Sequence, residues 1–138
     1  MALRWYSVVV DCRDVAAQAA WWARALGWAQ VVDLPEEMVL VPPHALTDMD
    51  SMPREHRGPG LVFVRVAEGK EVKNRLHLDL APWGEDDHEA EVARLLDLGA
   101  RRVEVGQSAL AETDRPATWT VLADPEGNEF CVLSSRDE

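Results

Sequence analysis

The residues most suited to chemistry lie on two predicted strands in the second half of the chain. The strand predicted at residues 75–81 carries His77 and Asp79, and the last predicted strand carries Glu129 and Cys131. Successive side chains of a strand point to opposite faces, so residues two apart share a face. An imidazole beside a carboxylate is suited to general acid–base work. The spacing therefore predicts one chemically active face.

Three further residues complete the predicted site. By the same alternation, Ser7 and Asp11 of the first strand and Trp119 of a later strand point away from the helices. The residues expected to face the helices are Val8, Val10, Leu76, Leu78, Leu80, Phe130 and Val132. Polar groups beside an aromatic wall are typical of a small-molecule pocket. Two interpretations of His77 stay open: a general base for a bound molecule, or a member of a satisfied polar network with Asp79 or Arg75.

These residues are positioned by a pattern that the chain contains twice. Residues 14–33 and 86–105 each begin with an acidic residue and continue through a helical stretch to Leu-Gly and a short apolar strand. A repeat of this length predicts two similar modules. A ligand is then expected in the groove between them.

Each repeat is predicted to be β-α-β-β-β. The expected strands are residues 3–11, 28–33, 38–41 and 61–66 in the first module, and 75–81, 100–105, 118–123 and 129–133 in the second. Asp14 is expected to cap the first helix and Gly27 to end it, whereas Asp86 with Glu89 would cap the second, which ends at Gly99.

Trp22 is expected in the core and Trp21 at an edge or a subunit contact. Residues 124–128 predict a turn, and residues 42–60 an irregular loop that acts as a lid or is disordered.

Composition narrows the classes of partner. The chain has 138 residues, enough for one domain, and a net charge of −11, which disfavours nucleic acids and anionic membranes. It has no apolar run long enough to span a bilayer and no signal-peptide pattern at its start. Cys12 and Cys131 are too few for a disulfide framework. We therefore expect a cytoplasmic protein that binds neither nucleic acid nor membrane.

Three motifs carry a family resemblance. They are D-x7-W-x3-LGW at residues 14–28, HLDL at 77–80 and DPEGNEFCVL at 124–133. With the paired modules, they resemble the vicinal oxygen chelate superfamily of glyoxalase I, extradiol dioxygenases and bleomycin- and fosfomycin-resistance proteins, and within it the glyoxalase-like domain proteins. The resemblance implies an α+β fold in which two βαβββ modules, residues 1–68 and 74–138 of a single domain, form a curved open sheet around a cleft. It also implies a homodimer.

The resemblance has a further implication for metal binding. Many of these enzymes hold a divalent metal through four side chains, two from each module. The corresponding positions here are Ser7, the strand at residues 61–66, which contains no histidine or carboxylate, His77 and Cys131. Only His77 matches, and His77 with Cys131 would offer zinc just two ligands. We therefore expect neither a metal nor another cofactor.

Two functions remain open at this stage. The first is binding of a small organic molecule in the cleft without a metal, as the resemblance to drug-resistance proteins suggests. The second is a lyase or isomerase that uses His77 and nearby carboxylates, with or without a divalent metal. The basic residues Lys70, Lys73 and Arg75 either hold an anionic ligand or form a solvated hairpin.

Overall fold

The computed structural model describes residues 2–47, 53, 56, 58–84, 87–103 and 119–135. The chain forms two compact units, Met1–Gly69 and Lys70–Glu138, which we call module one and module two. Each described module contains one four-stranded sheet and a main helix. This confirms the predicted α+β fold of two βαβββ modules.

Apart from one short helix in module one, the described elements follow the same order in both modules. Module one comprises β1 (Ser7–Cys12), α1 (Val15–Leu26), β2 (Ala29–Leu34), β3 (Glu37–Val41), the short helix α2 (His44–Thr47) and β4 (Gly60–Arg65). Module two comprises β5 (Asp79–Leu80), α3 (His88–Asp97), β6 (Arg101–Arg102), β7 (Trp119–Ala123) and β8 (Glu129–Leu133). The sheet orders are β1-β4-β3-β2 and β5-β8-β7-β6. In each module the first and last strands along the chain, β1 with β4 and β5 with β8, pair in parallel, and the other neighbouring strands pair antiparallel. The sequence repeat is therefore also a repeat of sheet topology.

Helix α1 has the predicted ends. The Asp14 side chain accepts a hydrogen bond from the backbone N–H of Ala17 at 3.1 Å, and Gly27 ends the helix at φ 68°. Trp21 and Trp22 are both buried and stack edge to face, with ring centroids 5.0 Å apart. The prediction that Trp21 packs at an edge or a subunit contact was wrong: its side chain is 2% exposed within the single chain and belongs to the core.

The sheet of module one is apolar on both faces. Leu61 and Phe63 of β4 are buried on the side where α1 packs, while Val9 of β1 is 58% exposed on the other side. One register row on that second side consists of valines on all four strands, namely Val9, Val62, Val39 and Val32. Val9 of β1 therefore points away from the helix, as the alternation of side chains predicted. The residues 42–60, predicted to be irregular, contain α2, and much of the remainder lies outside the described residues.

Helix α3 begins one residue later than predicted. The capping side chain is that of Asp87, which accepts from the backbone N–H of Glu89 at 2.9 Å, so the assignment of the cap to Asp86 was wrong. Val92 and Leu95 are its buried residues. Among the described residues, no helix has the length and apolar character needed to cross a membrane.

The first strand of module two is much shorter than predicted. Residues 75–81 were expected to be extended, but only Asp79–Leu80 pair as a strand, and Leu76 is 89% exposed rather than facing the helix. The segment before this strand is held by hydrogen bonds that involve side chains, and not by backbone pairing between strands. Asn74 donates from its backbone N–H to the Glu129 carboxylate at 2.9 Å and from its side chain to the Glu129 carbonyl at 3.3 Å. These bonds replace the backbone pairing that a longer strand requires.

The turn between β7 and β8 is the one predicted. Asp124 is 1% exposed, and its Oδ1 accepts from the backbone N–H groups of Glu126 and Asn128, each at 3.0 Å. Gly127 adopts φ 91°, a conformation that side chains rarely allow. The turn sets the pairing of the two strands that carry part of the candidate site.

Candidate functional site

Three of the predicted site residues meet on the sheet of module two. One ligand-type atom from each of His77, Asp79 and Cys131 lies within 4.8 Å of the other two. His77 Nε2 is 3.2 Å from Asp79 Oδ1. Cys131 is 4% exposed, whereas the side chains of His77 and Asp79 are 31% and 52% exposed. The cluster therefore has a buried thiol at its base and two accessible polar groups above it.

Strand register brings these residues together. Asp79 of β5 is paired directly with Cys131 of β8, which is paired on its other side with Val121 of β7. The backbone N–H of Cys131 also donates to the carbonyl of Leu78 at 2.9 Å, which fixes the chain just before β5. His77 then lies next to Asp79 although it is outside the strand. Paired residues share a face, as the alternation of side chains predicted.

The thiol of Cys131 is held in its protonated form. Burial, followed by the charge of Asp79 and a hydrogen bond to it, raises the pKa of Cys131 to about 11, while the nearby charge of Lys73 opposes this rise. At neutral pH the group is therefore a thiol, and it is a poor nucleophile. The cluster is better suited to binding and to proton transfer at His77 than to covalent catalysis.

The carboxylate of Glu129, a predicted ligand-binding group, is already engaged within module two. Lys70 Nζ lies 2.7 Å from one carboxylate oxygen, and the Asn74 backbone N–H donates to the other at 2.9 Å. Their side chains are largely buried, at 18% exposed for Lys70 and 13% for Glu129. Burial disfavours the charged carboxylate, but the bonds from Lys70 and Asn74 outweigh it, so the pKa of Glu129 is lowered. A ligand would have to compete with these contacts.

A small open pocket adjoins the cluster. Its empty volume is about 210 Å³, including solvent at its mouth. Besides His77, Glu129 and Cys131, the residues that line it are Lys73, Asn74, Val121 and Phe130. The role of Asn74 was missed because a single asparagine in a polar segment has no sequence pattern that marks it.

The remaining predicted site residues lie elsewhere on the two sheets. Ser7 and Asp11 stand near opposite ends of β1 in module one, where Ser7 pairs with Gly60 and Asp11 is exposed. Trp119 begins β7, is half-buried, and lies two residues from Val121 on the same face. Ligand-binding roles for these three residues stay predictions.

The donor groups differ from the metal set that the resemblance implies. Strand β4 (Gly60–Arg65) contains no carboxylate or histidine, and Ser7 offers only a hydroxyl. Module one therefore does not fit its half of a four-ligand site for a divalent metal. Module two supplies His77 and Cys131 at family positions, and Asp79 as a third group that the family positions do not include.

Comparisons with known proteins agree on one family and fold. The family model described as "Glyoxalase-like domain" matches residues 7–133. A glyoxalase/bleomycin resistance protein/dioxygenase family enzyme from Burkholderia phytofirmans PsJN is similar with TM-score 0.64 and 16% identity, over 96% of this chain and 98% of that one. A possible glyoxalase from Bacillus cereus gives TM-score 0.62 and 17% identity, over 96% and 99%.

A resistance protein shares the same fold. The fosfomycin resistance protein of Listeria monocytogenes, solved with Mn(II) and a dihydroxypropylphosphonic acid, gives TM-score 0.63 and 9% identity, over 98% of this chain and 91% of that one. At such identities the likeness concerns the fold alone. No curated protein sequence matches the chain.

Proposed function

The chain belongs to the glyoxalase-like domain family, and from this premise we propose that it binds a small organic molecule against the sheet of module two. The observation that carries the proposal is the pocket beside His77, Asp79 and Cys131. Its walls combine a cation, Lys73, with apolar surface from Val121. A few convergent polar groups over an apolar floor are what small-molecule sites usually present.

The size and polarity of the pocket indicate which part of a ligand it receives. The pocket is small and open, and its empty volume of about 210 Å³ includes the solvent space at its mouth. It therefore suits one polar end of a molecule, such as a carboxylate, phosphonate or carbonyl oxygen facing His77 and Lys73. Recognition through these groups requires no metal.

A second function, catalysis of a lyase or isomerase type, is favoured by the contact between His77 and Asp79. Because Nε2 of the imidazole lies 3.2 Å from the Asp79 carboxylate, the other ring nitrogen, Nδ1, is the one placed to accept a proton from a bound molecule. The carboxylate would orient the ring and stabilise the imidazolium that forms. Exchange of ligand protons with deuterated water, catalysed by the wild type and lost in His77→Ala, would distinguish this function from binding alone.

We expect His77→Ala to weaken ligand binding by about tenfold or more, a loss of about 1.4 kcal/mol, while the melting temperature stays near that of the wild type. The half-exposed ring contributes to the pocket, and its removal leaves the buried thiol in place. Ligands are first sought by NMR screening of small organic acids, alcohols and aromatics, and then titrated by calorimetry. The matched control is His44→Ala, which removes an exposed imidazole from α2.

The alternative interpretation of His77 has the opposite signature. If the ring mainly supports a polar network, its loss should lower stability by about 1–3 kcal/mol through polar partners left unpaired. A large drop in melting temperature with unchanged ligand affinity would therefore contradict a binding role for His77.

We also propose that the protein is a homodimer. Strand β2 is an edge of the first sheet, and its Val31 and Leu34 are 43% and 53% exposed. Exposed apolar edges are commonly covered by a second copy of the chain. Light scattering should therefore give twice the chain mass of 15.4 kDa. A mass of one chain at every concentration tested would contradict the proposal.

The cellular compartment, and the absence of binding to nucleic acid or membrane, stay predictions from the sequence. A net charge of −11 supports a protein that binds neither nucleic acid nor an anionic membrane surface. We propose the cytoplasm as its compartment, where the two cysteines would remain reduced.

A further inference from the structure

The segment that precedes β5, residues 70–78, forms one wall of the pocket on module two. It contributes Lys73, Asn74 and His77 to the lining, and the remaining lining residues come from β7 and β8. No residue of this segment belongs to a helix or strand. Its position therefore depends on individual contacts, and these decide whether Lys73 and His77 stand beside the pocket.

Glu129, the first residue of β8, anchors the start of the segment. Lys70 Nζ lies 2.7 Å from its Oε1, and the backbone N–H of Asn74 donates to its Oε2 at 2.9 Å. The side-chain amide of Asn74 also donates to the backbone carbonyl of Glu129 at 3.3 Å. Glu129 thus holds residues before and after Lys73, through its side chain and its backbone.

A second anchor fixes the end of the segment. The backbone N–H of Cys131 donates to the carbonyl of Leu78 at 2.9 Å, just before β5 begins. His77 lies between the two anchors, in the exposed stretch of residues 75–77. Because a stretch this short follows its ends, release of the first anchor should displace His77 as well as Lys73.

We propose that Glu129 is a positioning residue, which through Lys70 and Asn74 holds Lys73 and His77 at the pocket. We call these three residues, Lys70, Asn74 and Glu129, the positioning network. The inference rests on the proposed function in one respect, since it takes this pocket as the binding site. The role differs from the direct contact with a ligand that the sequence predicts for Glu129.

The contacts of the positioning network are strong because they are charged and largely shielded from water. The side chains of Lys70 and Glu129 are 18% and 13% exposed. A charge-assisted hydrogen bond is about twice as strong as a neutral one. With the network broken, the wall is in place for only part of the time, and the apparent affinity of the pocket falls in proportion to that fraction. Glu129 thus sets the affinity without touching the bound molecule.

The first test needs no ligand, because Cys131 lines the same pocket and is 4% exposed. Iodoacetamide labelling of the folded full chain is followed by mass spectrometry, with buried Cys12 of module one as the internal reference. Lys70→Met and Asn74→Ala should each raise the labelling rate of Cys131 by at least about tenfold. The rate for Cys12 should stay that of the wild type. Low concentrations of urea should change the faster rate little, since a local opening exposes little surface.

Three controls separate positioning from general stability. Lys70→Arg keeps the cation, and Glu71→Gln removes an exposed carboxylate from the same segment, so both should label as the wild type does. Val92→Ala removes volume from the buried side of α3 and lowers the stability of module two without touching the positioning network. Its labelling of Cys131 should increase steeply with urea, as expected for global unfolding.

The second test examines the pocket itself by NMR. In Asn74→Ala the ring signals of His77 should move, because the contact of the ring with Asp79 is no longer held. Benzoate is the probe of binding, since it joins an anionic group suited to Lys73 to an apolar ring suited to Val121. It should shift the methyl signals of Val121 in the wild type and bind Asn74→Ala at least about tenfold more weakly.

Several results would overturn the inference. One is wild-type labelling of Cys131 in both Lys70→Met and Asn74→Ala, and another is faster labelling with the steep urea dependence of Val92→Ala. Unchanged benzoate affinity in a variant that labels faster would also overturn it. If benzoate fails to bind the wild type, that result counts against the proposed function alone, and the labelling rates with the His77 signals then decide whether Glu129 positions the segment.

Discussion

Asp124→Ala should destabilise module two by about 3 kcal/mol. The side chain is 1% exposed, and its Oδ1 accepts two backbone N–H groups at 3.0 Å, from Glu126 and Asn128. A hydrogen bond to a charged group contributes about 1.5–3 kcal/mol, and alanine would leave both donors without this acceptor. Urea denaturation followed by circular dichroism measures the loss. Because this turn joins β7 to β8, the register of Val121 with Cys131 should loosen too.

Two further variants make the prediction specific. Asp124→Asn keeps an acceptor oxygen and should recover most of the stability. Asp97→Ala removes an exposed carboxylate at the end of α3 and should change stability little. Wild-type stability in Asp124→Ala would show that the turn is held by its backbone conformation alone.

Glu129→Gln should lower stability at neutral pH by about 2–3 kcal/mol, because it leaves the largely buried Lys70 without its carboxylate. The effect should depend on pH in a defined direction. The pKa of Glu129 in the folded protein lies below its ordinary value of 4.5. The stabilisation is therefore complete above about pH 4.5 and disappears as the pH falls through the lower, folded-state pKa.

The measurement is a series of denaturation curves from neutral to acid pH for wild type and variant. Their difference in unfolding free energy should shrink toward acid, as Glu129 of the wild type becomes protonated. Glu71→Gln, which changes an exposed carboxylate on the neighbouring segment, should show no such convergence. A difference that stays constant down to acid pH would show that the network does not depend on the charge of Glu129.

Features set by neighbouring residues were predictable from the sequence. The cap at Asp14, the helix end at Gly27 and the turn at residues 124–128 each depend on bonds spanning only a few residues. Their amino-acid types therefore indicate the structure directly. The repeated order of elements was predictable for the same reason, since each module repeats these local signals.

Features set by distant contacts were not predictable. The strand expected at residues 75–81 is cut short because Asn74 bonds to Glu129, far along the chain. One local feature was also missed: the cap of α3 falls on Asp87 rather than Asp86, because two adjacent aspartates offer the same chemistry to a sequence-based prediction. Trp21 is in the core although the predicted apolar stripe of the helix contains Trp22 and not Trp21, and its ring packs edge to face against that of Trp22.

The candidate site was predictable in part. Alternation along each strand placed His77, Asp79 and Cys131 on matching faces, but it does not specify which residues stand opposite one another. The pairing of Asp79 with Cys131 depends on register, which the folded sheet alone reveals. The ion pair of Glu129 with Lys70 was not predictable either, because the alternation of side chains along a strand predicts which face a residue is on but not which residue it contacts.

The burial of both cysteines has a practical consequence. Each module contains one of them, Cys12 at 1% exposed and Cys131 at 4%. With a pKa of about 11, only about one Cys131 in ten thousand is ionised at pH 7, so alkylating reagents meet an almost inert group. Labelling must then wait for the surrounding structure to open. The rate at which each cysteine is labelled therefore reports how often its own module opens, Cys12 for module one and Cys131 for module two.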